Sequence, residues 1–286
     1  MRRWGAVVSD RYPHPQQRER FTSLTDLIEH VQGLPAGATD ERRGYEWCGA
    51  APGELRETTG ARLALRGWPE GARRASALAS KIADRTINAP SAMHLRTDIT
   101  YDVQGMAYDV GAYLSGEPEC WLAHEETASK RAVRLVVDLG VSCGVPHHAI
   151  ETRGIAMCGL VLALQAQGYP VTVDVCVIHG KHFASVRIID AETGSILDID
   201  RLTYAIAHLT MARGWLPYAI NGQRGSTSGT RWGNSCPYNG TATPAYVLAQ
   251  GPCDLYIGAA HLNAVERWQD GGEAWVLSEY EKQTSA

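Results

Sequence analysis

The chain has 286 residues, 44% of them hydrophobic and 20% charged, which suits one large globular domain or two modest ones. A formal net charge of -4 supplies no global electrostatic drive toward nucleic acid or membrane surfaces, leaving only a local basic face open. No run approaches the ~18 apolar residues of a membrane span, and Met1 to Asp10 carries charges where a signal peptide is apolar; a cytoplasmic protein without membrane contact is expected.

The first third reads as helices joined by Gly/Pro-rich connections. Leu24, Leu27, Ile28 and Val31 share one helical face, Ser23 and Asp26 resemble a capping box, and "QGLPAG" ends the segment. Pro69 suits a first helical position, and Ala75, Leu78, Ala79 and Ile82 continue one stripe. Arg73, Arg74, Lys81 and Arg85 decorate the other faces, as a solvated surface or a phosphate-contacting one.

From Ala132 the pattern changes. "AVRLVVDL" is the short β-rich run of a strand buried on both faces. "HAIETRGIAMCGLVLALQAQG" follows as a helix apolar nearly all round, with Gly168 as its stop. "VTVDVCVI" and "FASVRIID", joined by "HGKH", predict a hairpin. Leu202, Ala205, Ile206 and Leu209 predict another helix, capped by Asp198 or Asp200. Asn221 to Pro244 reads as a long polar loop, "CDLYIG" as a late strand and "GEAWVLSEYEKQ" as a closing helix.

The order strand, helix, strand, antiparallel edge strand, with "DLGVS" after the first strand, resembles the von Willebrand factor A type of Rossmann-like α/β fold. The resemblance implies a mostly parallel sheet over 131–286; the helix signals that precede it give a mainly helical N-terminal region over 1–130. The resemblance also implies a metal-ion-dependent adhesion site on the loop, with Asp138, Gly140 and Ser142 at the matching positions. Gly140 replaces the family's usual serine, which removes one oxygen ligand. Three further segments, "YDVQGMAYDVGAYLSGEPECW", "DIDRLTYAIAHLTMARGW" and "DLYIGAAHLNAV", resemble a family of proteins frequently encoded by bacteriophages and prophages. That likeness implies a viral origin and no particular mechanism.

Asp138 and Ser142 are therefore the candidate metal ligands. Magnesium keeps several waters, so one carboxylate and one hydroxyl suffice if a protein partner adds an oxygen. The competing reading has Asp138 bracing the turn and Ser142 bonding the helix start. Arg224, Arg231 and Trp232, with Tyr238, suit stacking and phosphate contact in a nucleic-acid-binding loop. His261 is placed to face the same crevice as Asp138, or to serve as a structural histidine. Thr227 and Thr230 are further possible oxygen donors.

Two enzymatic alternatives remain. Cys143 near a helix start, beside His147 and His148, permits a thiol nucleophile and base but lacks an orienting third residue. Asp102, Asp109, Glu117 and Glu119 form an acidic cluster that would share a helix face if Asp102 and Asp109 lay two turns apart. The seven cysteines are scattered and never in a CxxC pair, against a disulfide framework or zinc ribbon. The usual ATPase, dinucleotide, metalloprotease and α/β-hydrolase motifs are absent.

Overall fold

The computed structural model describes residues 17–34, 58–86, 93–102, 107–130, 132–141, 144–179, 182–191, 198–223, 247, 251–260, 262–268 and 271–284. Its elements before residue 131 are β1 (Gln17–Phe21), α1 (Leu24–Gly33), α2 (Thr58–Arg66), α3 (Pro69–Thr86), β2 (Met93–Asp102), β3 (Ala107–Tyr108), α4 (Val110–Leu114) and β4 (Trp121–Lys130). After it come β5 (Val133–Asp138), α5 (His147–Ala166), β6 (Val171–His179), β7 (His182–Ile189), α6 (Ile199–Ala207), a π-helical turn (Met211–Trp215), α7 (Leu216–Gln223), β8 (Leu255–Ile257), a 3-10 segment (Leu262–Trp268) and α8 (Glu273–Thr284).

Five strands form one mixed, mostly parallel sheet in the order β1-β7-β6-β5-β8, and helices flank it. β5 pairs in parallel with β6 and β8, β7 pairs antiparallel with β6, and β1 pairs in parallel with β7. β7 is thus antiparallel as expected, but it is not the edge strand. β1 lies outside it, because Phe21 carries its apolar side chain into the same core as Leu24 and Val186 and the strand's backbone satisfies the free side of β7.

The N-terminal region is also less helical than its composition predicts. β2, β3 and β4 form a separate antiparallel sheet in the order β2-β4-β3, with Met93 opposite Lys130 and Asp102 opposite Trp121. Nor does residue 130 separate two cores: Phe21, Leu27, Val31, Ala75 and Ile82 belong to the cluster containing Leu135, Val137, Leu160 and Tyr280. α3 packs along α5, and α1 lies against α2, β7 and α7.

The helix signals translate directly. Ser23 Oγ accepts from the Asp26 N–H at 3.2 Å, and Asp26 Oδ2 accepts from the Thr22 N–H at 2.9 Å, closing the first turn of α1. Asp198, not Asp200, caps α6, its Oδ1 accepting from the Arg201 N–H at 3.0 Å. Gly168 adopts φ +81 beyond α5, a left-handed conformation that glycine enters without a Cβ penalty. α5 is apolar and long enough by composition to cross a membrane, yet 78% of that window is buried inside the fold. Core packing on several sides accounts for its apolarity.

Alternation along the strands divides the sheet's two faces. Leu135, Val137, Val173, Val175, Ala184 and Val186 face the main core. Val136, Cys176, Ile178, Phe183 and Tyr256 form a smaller cluster on the opposite face, joined there by Val247. Arg134 and Asp138 share the parity of Val136, so β5 places one charged residue near each end of that second face.

Candidate functional site

The carboxyl end of β5 is held by a set of short-range contacts. Asp138 is fully buried, and its Oδ1 accepts from the Gly140 N–H at 2.8 Å, forming an Asx-type turn. Its Oδ2 accepts from the Tyr256 hydroxyl on β8 at 3.3 Å. The Gly140 carbonyl accepts from the Ala260 N–H at 2.7 Å, and Val141 bridges Ala260, so β5 and β8 travel together past their formal ends. Turn bracing, one of the two readings of Asp138, is what its contacts show.

Arg153, nearly two turns into α5, completes the arrangement. It is 2% exposed, and its Nη2 donates to the main-chain oxygens of Asp138 at 3.3 Å and of Gly258 at 2.5 Å. The guanidinium lies 5.8 Å from the ring centroids of both Trp268 and Trp275, within cation-π reach of each. Burial pushes the Asp138 carboxyl up to about 6, against the opposing pull of the Gly140 N–H, the Arg153 charge and the Tyr256 hydroxyl. This is a rigid, internally satisfied bracket at the end of parallel strands, where open α/β sheets present their ligand-binding crevice.

A second arginine reaches the loop that follows β5. Arg213 sits in the π-helical turn, 8% exposed, and its Nη2 donates to the Val145 carbonyl at 2.7 Å. π-turns cluster at functional positions because they project a side chain off the regular helical register. Pro146 caps α5 without a side-chain hydrogen bond, and Gly144 and His148 are exposed beside it.

Ser142, Cys143, Arg224, Thr227, Thr230, Arg231, Trp232, Tyr238 and His261 lie outside the described residues. The acidic cluster does not form the shared helix face considered for it. Asp102 ends β2, whereas Asp109 caps α4, its Oδ1 accepting from the Gly111 and Ala112 N–H groups at 2.8 and 3.1 Å. A second strand, β3, lies between Asp102 and Asp109, and Glu117 and Glu119 are exposed. Arg73, Arg74 and Lys81 are exposed on α3, with Arg74 only 3.7 Å from Glu151 of α5.

Sequence reasoning overlooked Arg153, Tyr256 and Arg213. Arg153 carried a readable signal: it is the last charge before the long apolar stretch of α5, where an unpaired guanidinium would be costly. Tyr256 and Arg213 carried none, because their roles depend on strand pairing and on a π-turn.

A family model described as a domain of unknown function, DUF7192, matches residues 8–268. The chain belongs to the DUF7192 family. No curated protein and no solved structure matches it. The family match runs across residue 130, as does the shared core.

Proposed function

We propose that this DUF7192 chain is a non-enzymatic binding or assembly module with a von Willebrand A-like sheet, of the kind carried by phages and prophages. It would engage a protein partner through the loop that follows β5. The observation that carries this reading is the strand order β7-β6-β5-β8 with β7 reversed, which puts the Asp138 turn at the carboxyl end of an internal parallel strand. β1, outside β7, is an addition to that pattern.

Binding is favoured over catalysis by the state of the ionisable groups. Burial pushes the thiols of Cys158 and Cys253 up to about 12, and holds His208 down to about 4. None of these three is poised near neutrality as a nucleophile or base, and the Asp138 carboxyl, pushed up to about 6, is buried with its oxygens engaged by Gly140 and Tyr256. A magnesium ion fits the described residues poorly: both Asp138 oxygens already accept hydrogen bonds, and the positive Arg153 guanidinium stands beside them. Asp138 then acts by shaping the loop that a partner reads.

Affinity capture with the full chain and a Gly144→Arg variant tests the reading, because Gly144 is exposed on that loop. A specific partner retained by the wild type and lost with the folded variant supports it; identical partner sets overturn it. Magnesium-dependent stabilisation of the wild type that disappears in Asp138→Asn would instead restore the adhesion-site chemistry. A second reading, nucleic-acid binding, rests on the exposed Arg73, Arg74 and Lys81 of α3. It requires salt-dependent retention on single-stranded DNA or RNA, and no retention at low salt removes it.

A further inference from the structure

Away from the β5 rim, the structure contains a cavity of about 580 Å³ lined by Arg20, Thr22, Ser23, Arg187, Asp190 and Arg201, among others. It opens where β1 gives way to α1, against the end of β7 and the first turn of α6. The parallel register sets Arg20 opposite Ser185 and Phe21 opposite Val186, and β7 runs on to Ile189 past the end of β1. The overhang of β7 is what brings Arg187 and Asp190 beside Thr22 and Ser23, where the chain leaves β1 for α1.

The three arginines stand in different states. Arg187 is fixed: its Nε donates to Asp174 Oδ1 at 2.8 Å and its Nη1 to Asp190 Oδ2 at 3.1 Å. Arg201 is half exposed, its Nε donating to the Leu65 carbonyl at 2.6 Å and lying 3.1 Å from Asp198 Oδ2. Arg20 is exposed and makes no hydrogen bond or ion pair with the described residues. Three cationic side chains therefore line the cavity; Arg187 is paired with Asp174 and Asp190 and Arg201 with Asp198, which leaves Arg20 as the guanidinium there with no carboxylate partner among the described residues.

Both adjacent helix starts are already capped, α1 by Ser23 and α6 by Asp198, and the Thr22 hydroxyl donates to Asp26 Oδ2 at 3.3 Å, so the capacity for an anion resides in the guanidinium groups. Guanidinium offers a planar fork of donors matched to phosphate oxygens. The volume falls within the range of small-molecule sites, roughly 300–1,000 Å³. An opening of this size accommodates more than a bare ion.

We propose that this cavity binds a small phosphate-bearing molecule, with Arg20 and Arg201 holding the phosphate and Arg187 fixed beside them by Asp174 and Asp190. The site is distinct from the β5 rim and does not depend on the function proposed for it.

The test uses the full chain, inorganic phosphate and adenosine monophosphate as probes, with sodium chloride matching the ionic strength. Thermal unfolding at millimolar probe should shift upward by about 2 °C or more with at least one of them. Calorimetric titration should show binding weakened about tenfold or more in Arg20→Gln and in Arg201→Gln, both at partly exposed positions that tolerate substitution. Tighter binding of the nucleotide identifies an organic phosphate; equal binding identifies phosphate itself. Gly144→Arg should bind the probe as the wild type does. No shift with either probe, or undiminished binding in both arginine variants, overturns the proposal.

Discussion

The Nη2 of Arg153 donates to the main-chain oxygen of Asp138 at 3.3 Å, joining a side chain of α5 to the last residue of β5. The same nitrogen reaches Gly258 beyond β8, so one buried guanidinium ties two parallel strand ends to the helix that follows the first. Replacing it with an apolar side chain strands two carbonyls and removes the positive charge beside a buried carboxyl. Arg153→Met should destabilise the protein by about 3–5 kcal/mol. Urea unfolding at neutral pH measures the loss, and a cost under about 1 kcal/mol contradicts the bracket.

Asp138 predicts a pH dependence of definite sign. Its carboxyl rises from its ordinary 3.8 to about 6 in the folded state, chiefly through burial. Between those values the native protein holds a proton that the unfolded chain has released, so stability falls as pH rises. The full loss above pH 6 is about 3 kcal/mol. Asp138→Asn keeps an oxygen for the Gly140 N–H and cannot ionise. The stability difference between variant and wild type should therefore grow in the variant's favour from pH 4 to pH 6.5.

His208 runs the other way. It stacks on Tyr204 with centroids 4.8 Å apart, meets Trp68 edge-on, and keeps Nδ1 2.7 Å from Thr210 Oγ1. Burial lowers it from 6.5 to about 4, so the unfolded chain takes up the proton first as pH falls. Its contribution is present above 6.5 and lost as pH drops toward 4, by about 3 kcal/mol. His208→Gln removes this dependence, so in a pH series of unfolding midpoints the difference between variant and wild type should move in the variant's favour as pH falls from 6.5 to 4. Because the two slopes oppose each other, wild-type stability should vary less across this window than either variant's.

Asp174 anchors the other end of the second face. It is 3% exposed, with Arg134 Nη2 at 2.6 Å and Arg187 Nε at 2.8 Å on its two oxygens. Arg134 also donates to the carbonyls of Gly251 and Pro252, which links β5 to the approach of β8. Asp174→Asn leaves two guanidinium groups sharing one neutral partner and should cost about 3–5 kcal/mol. It should also loosen the cavity wall at Arg187, weakening phosphate binding there.

Gly154 marks the crossing of α5 and α6. A Cβ at that position would meet the Cα and Cβ of Ala207 and the Ile206 carbonyl, backbone that cannot swing aside. Gly154→Ala should destabilise by about 1–3 kcal/mol or more despite its better helix propensity. A neutral or stabilising result in thermal unfolding would show that the two helices separate easily.

The α/β alternation was legible where one residue pattern answers to one environment. β5, β6, β7 and β8, together with α1, α3, α5, α6 and α8, followed from period-2 or period-3.6 spacing and from caps at Ser23, Asp198 and Gly168. β1 and the β2-β4-β3 sheet were missed because their polar strands carry no apolar run, and pairing with a distant strand decides them.

The sequence alone determined β5 to β8 and α5, α6 and α8 in the α/β portion, since local periodicity reports which side of each element meets the core; the π-helical turn, α7 and the 3-10 segment carried no such signal. It also marked Asp138 as the acid at the end of a buried strand. Only tertiary structure decided the rest. β1 takes a place outside β7, Arg153 closes over Asp138, and Arg20 meets Arg201 at one cavity, because contacts between residues far apart in the chain depend on register and packing that no local pattern encodes.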